Sequence, residues 1–440
     1  MHAPRLSPRI LALALAASTT VRAAPVLAPV FGDHAVLQVE KPVPVWGQAD
    51  PGEHLVIAFA GQSVAATAGP DGRWSAVLSA LAAGGAGGDL SVTGKATVVS
   101  HDVVAGEVWL CAGGSGMSEP LGGGPAHGDE ASAARFPQVR AFVSAPAARS
   151  GGAPSGWILC SPQTVRGFPS VGYAFARSLH TRLGSAVGIV VAAVAASPIE
   201  SWMAPAPGTP EGALFAERID PLLPLAARGV VWYQGEGDLA RTPGYGGRFT
   251  ALIRGWRTRL GQGELPFLWV QLASFGRATG AGERGPALRE GQAQALSLPA
   301  AGQAVAIDMG AVGDARPRDD QEIGRRLALI AKAQVYGLSV DYSGPVPKGF
   351  EPEGGSLKVE FAHAGDGLTA AGKPLQSFEV AGQDRVFHPA TAAIRGSAVV
   401  VQSPAVRQPI AVRYAWHDGP EANLFNGAGL PAAPFRSDSW

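Results

Sequence analysis

A serine flanked by glycines follows directly on a short apolar run, where Val108-Trp-Leu-Cys111 leads into Ala112-Gly-Gly-Ser-Gly-Met117. If the run is a buried strand and a helix starts after it, backbone N–H groups at the turn can stabilise an oxyanion formed by attack of Ser115. A glycine-rich turn carrying an ordinary serine is the other reading, and the lipase-type G-x-S-x-G pattern fails at Met117. A second apolar run, Val230-Val-Trp-Tyr233, leads into Gln234-Gly-Glu-Gly-Asp238. The Gln234 amide could donate to the same oxyanion, and the carboxylates Glu236 and Asp238 could orient a base; a solvated polar loop is the alternative. A third run, Ala304-Val-Ala-Ile307, leads to Asp308 and, past a loop, to Asp314-Ala-Arg-Pro317. Asp314 two residues before Arg316 is by itself no more than a local ion pair of little energy.

These runs need a scaffold that places their ends together. Between residues 105 and 337 unbroken apolar runs also occur at Val187-Gly-Ile-Val-Val-Ala192 and Phe267-Leu-Trp-Val-Gln271, the pattern of strands covered on both faces. Amphipathic helices alternate with them. Val171, Ala174, Phe175, Leu179 and Leu183 share one helix face; Ile323, Leu327, Ile330 and Ala331 share another, opened by Asp319-Asp-Gln-Glu322 as a capping box with Asp at the cap. The alternation predicts a doubly wound parallel α/β sheet whose ligands sit at the carboxyl ends of its strands. Residues 24–104 carry strand-like runs such as Pro42-Val-Pro-Val-Trp46 and His54-Leu-Val-Ile-Ala-Phe59, separated by turn signals, and predict an N-terminal β-sandwich. Strand signals return over 338–440, at Leu357–Phe361, Ser377–Val380, Ala398–Val401 and Ile410–Tyr414. The final 423–426 and 430–435 read as apolar coil packed back on the central domain.

Composition narrows the function. Lys plus Arg number 35 and Asp plus Glu 35, so no net charge attracts nucleic acid or an anionic membrane surface. With 46% hydrophobic and 16% charged residues the chain is not disordered, and glycine 59 with proline 36 suits many strands and turns. Two cysteines make neither a zinc ribbon nor a disulfide scaffold; Cys111 and Cys160 read as inert core thiols, with one disulfide as the alternative. No metal and no cofactor is expected. Arg5 and Arg9 precede the apolar run Ile10–Ala17, and Val21-Arg-Ala23 suits cleavage, so residues 1–23 read as a signal peptide exporting a secreted or periplasmic protein. The run is too short for a membrane anchor.

At the strand ends the chain resembles the sialate O-acetylesterase family, carbohydrate esterases of the SGNH hydrolase type. The resemblance rests on Phe31-Gly-Asp-His-Ala-Val-Leu-Gln38 with Pro42-Val-Pro-Val-Trp-Gly47, on Gly106-Glu-Val-Trp-Leu-Cys111 and on Trp232-Tyr-Gln-Gly-Glu236. It continues through Pro266–Leu272, Gln321–Ala328, Val412-Arg-Tyr-Ala-Trp416 and the ending Asn423-Leu-Phe-Asn…Phe435-Arg-Ser-Asp-Ser-Trp440. The resemblance implies an SGNH-type, flavodoxin-like sheet and hydrolysis of O-acetyl esters of sialic acid or related sugars. It also implies Ser115 as nucleophile, Asp314 as the acid that orients a base, and Gln234 and Glu236 with the turn at Ala195 and Ala196 lining the oxyanion and substrate site. An inserted β domain of longer members is missing between Trp202-Met203 and Leu214-Phe215.

The departures from the family fall on its active-site motifs. Arg316 stands at the family's histidine, Gly114 and Gly116 flank the serine in place of Gln and Asn, and Ala195-Ala-Ser197 replaces a Gly-Gly-Thr turn. Ala216-Glu-Arg-Ile219 replaces Asn-Gly-Met-Ile, and Gln234-Gly-Glu-Gly-Asp238 replaces Gln-Gly-Glu-Ser-Asn. A guanidinium keeps its proton and takes none from serine near neutral pH. No histidine lies between His180 and His363; His363, His388 and His417 reach the site only if tertiary packing brings them there. The expectation is an exported O-acetyl ester hydrolase of weak or lost activity. The alternatives are a non-catalytic glycan binder in which Arg316 holds a sugar carboxylate, or a structural periplasmic protein on the same fold.

Overall fold

The computed structural model describes residues 24–85, 87–123, 128–143, 156–207, 212–276, 284–312 and 319–440. The expected signal peptide, Asp314 and Arg316 lie outside them. The apolar run before Ser115 is the last part of one long strand, β1 (Thr97–Gly113). Its first residues pair with the sandwich strand Gly88–Thr93, and its last ones enter the central sheet. The expected domain boundary at 104/105 therefore falls inside a continuous strand.

The central sheet adds β2 (Phe136–Val143), β3 (Trp157–Cys160), β4 (Ala186–Ala193), β5 (Gly229–Tyr233), β6 (Phe267–Gln271) and β7 (Ala301–Val305). Their order is β3-β2-β4-β1-β5-β6-β7, with every neighbouring pair parallel except β3 against β2 at one edge. From β1 the chain first builds β2 to β4 on one side and then β5 to β7 on the other. β1 thus stands at the topological switch, where an open α/β sheet leaves a crevice outside its strand ends.

Both faces are covered, as the unbroken apolar runs require. Trp109, Cys111, Ile189, Val231 and Val270 face the helices α2 (Ser170–Leu183) and α5 (Asp320–Ile330), and all are buried. Val108, Leu110, Val190, Trp232 and Trp269 face the sandwich side and α3 (Tyr245–Leu260), through Phe249, Leu252, Ile253 and Trp256. The two helix faces expected from 3.6-residue spacing form as α2 and α5. Asp319 caps α5, its carboxylate accepting from Glu322 N–H at 2.9 Å. The reciprocal half of the capping box does not form, because Arg325 and Arg326 take the Glu322 carboxylate at 2.5 and 2.9 Å. The strand expected at 304–307 is shifted to β7; Ile307 starts a helical turn instead and is buried in the C-terminal core.

In that core, antiparallel sheets carry the four expected runs as Ser356–Ala362, Phe378–Ala381, Ala398–Gln402 and Ala411–Tyr414. The closing segments are mostly coil, as expected, interrupted by two strands of two residues each. Phe425–Asn426 pairs with Leu368–Thr369, and Phe435–Arg436 pairs with Arg413 and Tyr414. They do pack back on the central region, Leu424, Ala432 and Phe435 sharing a core with Ile307, and Arg436 adds a bidentate pair to Glu290 at 2.8 and 3.0 Å on α4 (Arg284–Gln294). Cys111 and Cys160 are buried and free, so the disulfide alternative fails. Burial pushes both thiols up, Cys160 to about 11, which keeps them protonated and unreactive. Among the described residues no helix is long and apolar enough to cross a membrane.

Candidate active site at the carboxyl ends of three adjacent strands

β4, β1 and β5 lie side by side, and each hands over to a site loop at its carboxyl end. Gly113 ends β1 at φ 133°, where a Cβ would overlap the Tyr233 carbonyl. Glycine is needed there for both reasons. The next residue is pinned to β5, Gly114 N–H donating to Tyr233 O at 2.7 Å. Ser115 follows at the head of α1 (Ser115–Ser118), half-buried.

The N–H donor on the Ser115 hydroxyl does not come from its own helix, which is a single turn. It comes from the loop after β4: Ala196 N–H points at Ser115 Oγ, 3.2 Å away. Ala196 holds that position at φ 55°, in the left-handed region that costs a non-glycine residue roughly 1–2 kcal/mol. Val194 N–H donates to Gly113 O at 2.9 Å and Ser197 Oγ to Val194 O at 2.7 Å, tying the turn to β1 and to itself.

Gln234 is fully buried, and its amide is spoken for. Its Nε2 donates to Ser197 O at 3.0 Å and to Asp238 Oδ2 at 2.6 Å, while its Oε1 accepts from Tyr245 at 2.9 Å. With both N–H bonds used, Gln234 braces the turn that carries Ala196 instead of reaching a substrate oxygen. Asp238 Oδ2 also accepts from Ile199 N–H at 2.8 Å, so two strut bonds hold residues 197–199. Gly237 sits against the same turn, where a Cβ would stand 2.6 Å from Ser197 O. Asp238 entered the sequence reading only as a possible orienter of a base, and Tyr245 and Gln292 not at all. Gln292 Nε2 donates to Gln234 O at 3.0 Å from α4, whose buried face is too polar to leave a periodic apolar signal.

Glu236 lies beside the serine loop, its Oε2 3.7 Å from where a Cβ of Gly114 would be. Burial raises its pKa, opposed by the Glu236 and Gly235 backbone N–H groups. Asp238 is raised too, again by burial, against the Gln234 hydrogen bond. Gly116 opens space for a neighbour, since a Cβ there would overlap the Tyr233 ring. Ala195 lies in the same turn as Ala196.

The serine's Oγ has no imidazole partner among the described residues. His363 packs against the Tyr342 ring at 5.6 Å, His388 lies in the strand Phe387–Pro389, and His417 Nε2 is 3.5 Å from Glu379. No group of three His, Cys, Asp or Glu among the described residues is placed to hold a metal ion. Trp202 and Trp232 are fully buried and pack edge-to-face on each other, with Trp256 against both, so both are packing residues. The arrangement offers a half-exposed hydroxyl, one backbone donor beside it, and a nearby desolvated carboxylate. Those are parts of an acyl-transfer site.

Residues 105–328 match the family described as carbohydrate esterase, sialic acid-specific acetylesterase. The chain is 25% identical to the sialate O-acetylesterase of Pongo abelii, over 89% of this chain and 88% of that one. It is 26% identical to the sialate O-acetylesterase of Homo sapiens, over 70% of each chain. Among solved structures it is similar to a carbohydrate acetylesterase from Xanthomonas citri, at 39% identity and a TM-score of 0.88, covering 95% of this chain and all of that one (100%).

Proposed function

This chain belongs to the carbohydrate esterase family of sialic acid-specific acetylesterases, and on that premise we propose that it is an exported hydrolase of O-acetylated sugars with Ser115 as nucleophile. Ser115 Oγ attacks the acetyl carbonyl carbon, the carbonyl electron pair moves onto oxygen, and the Ala196 N–H steadies the resulting charge. Collapse breaks the bond to the sugar oxygen, which leaves carrying the proton that Ser115 gave up; water then adds to the acetyl carbonyl, and acetic acid leaves as Ser115 regains a proton. The single observation that carries this reading is the Ala196 N–H held 3.2 Å from Ser115 Oγ. An oxyanion donor must be aimed beside the nucleophile before substrate arrives.

The weak point is the proton. The family's base position holds Arg316, with Asp314 two residues before it as the expected orienting acid. A guanidinium does not accept a proton near neutral pH, and loss of a triad base costs about 10⁴- to 10⁶-fold in rate. We therefore assign the chain low activity. The second reading is a glycan binder in which Arg316 grips a sugar carboxylate by two parallel bonds, favoured by the same substitution.

Turnover of 4-nitrophenyl acetate and of O-acetylated sialic acid separates the two, measured on the wild type, Ser115→Ala and Arg316→His. Turnover abolished by Ser115→Ala supports the hydrolase, and activity that rises in Arg316→His locates its lapsed base. No turnover in any of the three, together with measurable affinity for sialic acid that Arg316→His removes, leaves the binder.

A further inference from the structure

A cavity of about 800 Å³ lies on the side of the amino ends of the central strands, away from Ser115. It opens between the sandwich sheet formed by Val26–Leu27, Val43–Gln48 and Arg73–Leu78 and the segment Asp220–Pro224. That segment leads into β5 from its amino end, and the sandwich joins β1 at its amino half. Ser115 follows the carboxyl end of β1, so the cavity is separate from the serine site.

Register decides which side chains face it. Trp46 pairs with Ser75, and Gln48 pairs with both Arg73 and Val26. Val45, Trp74 and Ala76 turn into the core, so alternation turns Trp46, Gln48, Arg73 and Ser75 to the outer face. Trp46 is half-buried, held edge-to-face by Phe31 at 4.6 Å. The side chains of Gln48 and Ser75 make no hydrogen bond among the described residues, and Arg73 is 81% exposed, only loosely paired to Asp71 at 3.8 Å. Buried Trp74 also lines the cavity, and its Nε1–H finds no partner. A leftover buried donor of this kind calls for an explanation.

An indole ring surrounded by an amide, a hydroxyl and a guanidinium with bonds to spare suits a pyranose. The sugar's C–H face covers the ring, and its hydroxyls meet the polar groups. The volume lies within the range of small-molecule sites, and such sites favour seams between structural units. We propose that this cavity is a second, non-catalytic site that binds a sugar unit of an oligosaccharide. Trp46 is its platform, and Gln48, Arg73 and Ser75 are its polar partners. The choice of sugars rests on the carbohydrate-esterase reading; the site itself needs no turnover.

The test uses the full chain carrying Ser115→Ala, titrated calorimetrically with 3′-sialyllactose and with cellotetraose, neither of which bears an O-acetyl ester. At least one should bind. Adding Trp46→Ala should weaken it about tenfold or more, ~1.4 kcal/mol. Ser75→Tyr, which fills the outer face opposite Trp46 and leaves the core untouched, should do the same. Preference for sialyllactose that vanishes in Arg73→Gln assigns the guanidinium to the carboxylate; equal or better binding of cellotetraose assigns the site to neutral sugars. No binding of either, or binding that Trp46→Ala and Ser75→Tyr leave intact, overturns the proposal. Self-association lost in both variants also overturns it, by making the cavity a contact between copies. Turnover of 4-nitrophenyl acetate by Trp46→Ala alone should equal the unsubstituted level, so failure here is distinct from failure of the hydrolase reading.

Discussion

One strand, β1, carries a buried carboxylate near its middle and the serine just past its end, and the two surroundings are built differently. Glu107 is neutralised on every side. It accepts from Arg228 at 2.6 and 3.0 Å, from Tyr336 at 3.0 Å and from Gln38 at 3.3 Å. Burial disfavours the charge on Arg228 most, but the hydrogen bond and charge attraction from Glu107, with a further bond to Glu40, together outweigh it. Gln38 in turn accepts from Val108 N–H at 2.8 Å. Around Ser115, by contrast, no cation among the described residues pairs with Glu236, Ala196 is left-handed, and the hydroxyl is half-exposed. The network at Glu107 satisfies each group and fastens the sandwich side to the sheet. The one at Ser115 keeps a carboxylate desolvated beside a left-handed alanine, both of which cost stability.

That contrast can be broken at either end. The largest effect belongs to Glu107→Ala, which leaves the Arg228 guanidinium largely buried without its main partner. We expect a loss of about 3–5 kcal/mol in chemical denaturation. Asp238→Ala strands the Ile199 N–H and one Gln234 N–H, and should cost about 1–3 kcal/mol. It should also speed amide exchange at residues 196–199, a readout that needs no catalysis; Asp238→Asn, which keeps an acceptor, should restore most of the protection. Gly116→Ala forces the Tyr233 ring to move and should cost about 1–3 kcal/mol as overpacking. At the serine site a change in the opposite direction is also expected. Glu236→Gln removes a carboxylate whose folded pKa is raised. A raised carboxylate favours folding only where it is protonated, so its contribution is lost as pH rises through the folded pKa. The Gln variant should therefore be the more stable protein at pH 7, with the gain fading as pH falls towards the ordinary value of about 4.3. The smallest effect is Ala196→Gly: relief of the left-handed alanine, offset by added chain entropy, should raise stability by less than about 1 kcal/mol.

How far the sequence could be read follows from the same two environments. The strands at 108–111, 187–192, 230–233 and 267–271 were legible because burial on both faces leaves an unbroken apolar run. Ser115 and Gln234 were legible as strand-end residues and the Ala195–Ser197 turn only through the family resemblance, and the sheet brings all three loops together. The bracing role of Gln234 was not, because it depends on Tyr245 and Asp238 closing over its amide, and no local pattern records tertiary partners. α4 escaped for a similar reason: its buried side chains include Arg289 and Gln292, satisfied by backbone carbonyls of Leu272 and Gln234, so burial there carries no apolar periodicity. The closing segments were legible in the main. Proline and asparagine near 423–435 read as coil, yet two-residue strands form there because Arg413 and Leu368 supply open edges.

The length of β1 has a mechanical consequence. Seventeen residues in one extended ribbon span roughly 50 Å at about 3.3 Å each, from the sandwich to the glycine before the nucleophile. It bends once on the way, at left-handed Asp102 (φ 53°), beyond which it runs on into the central sheet, so the sandwich is tied by main chain to the serine. A chain cut at residue 105 would lose the five pairs that join this strand to Gly88–Thr93.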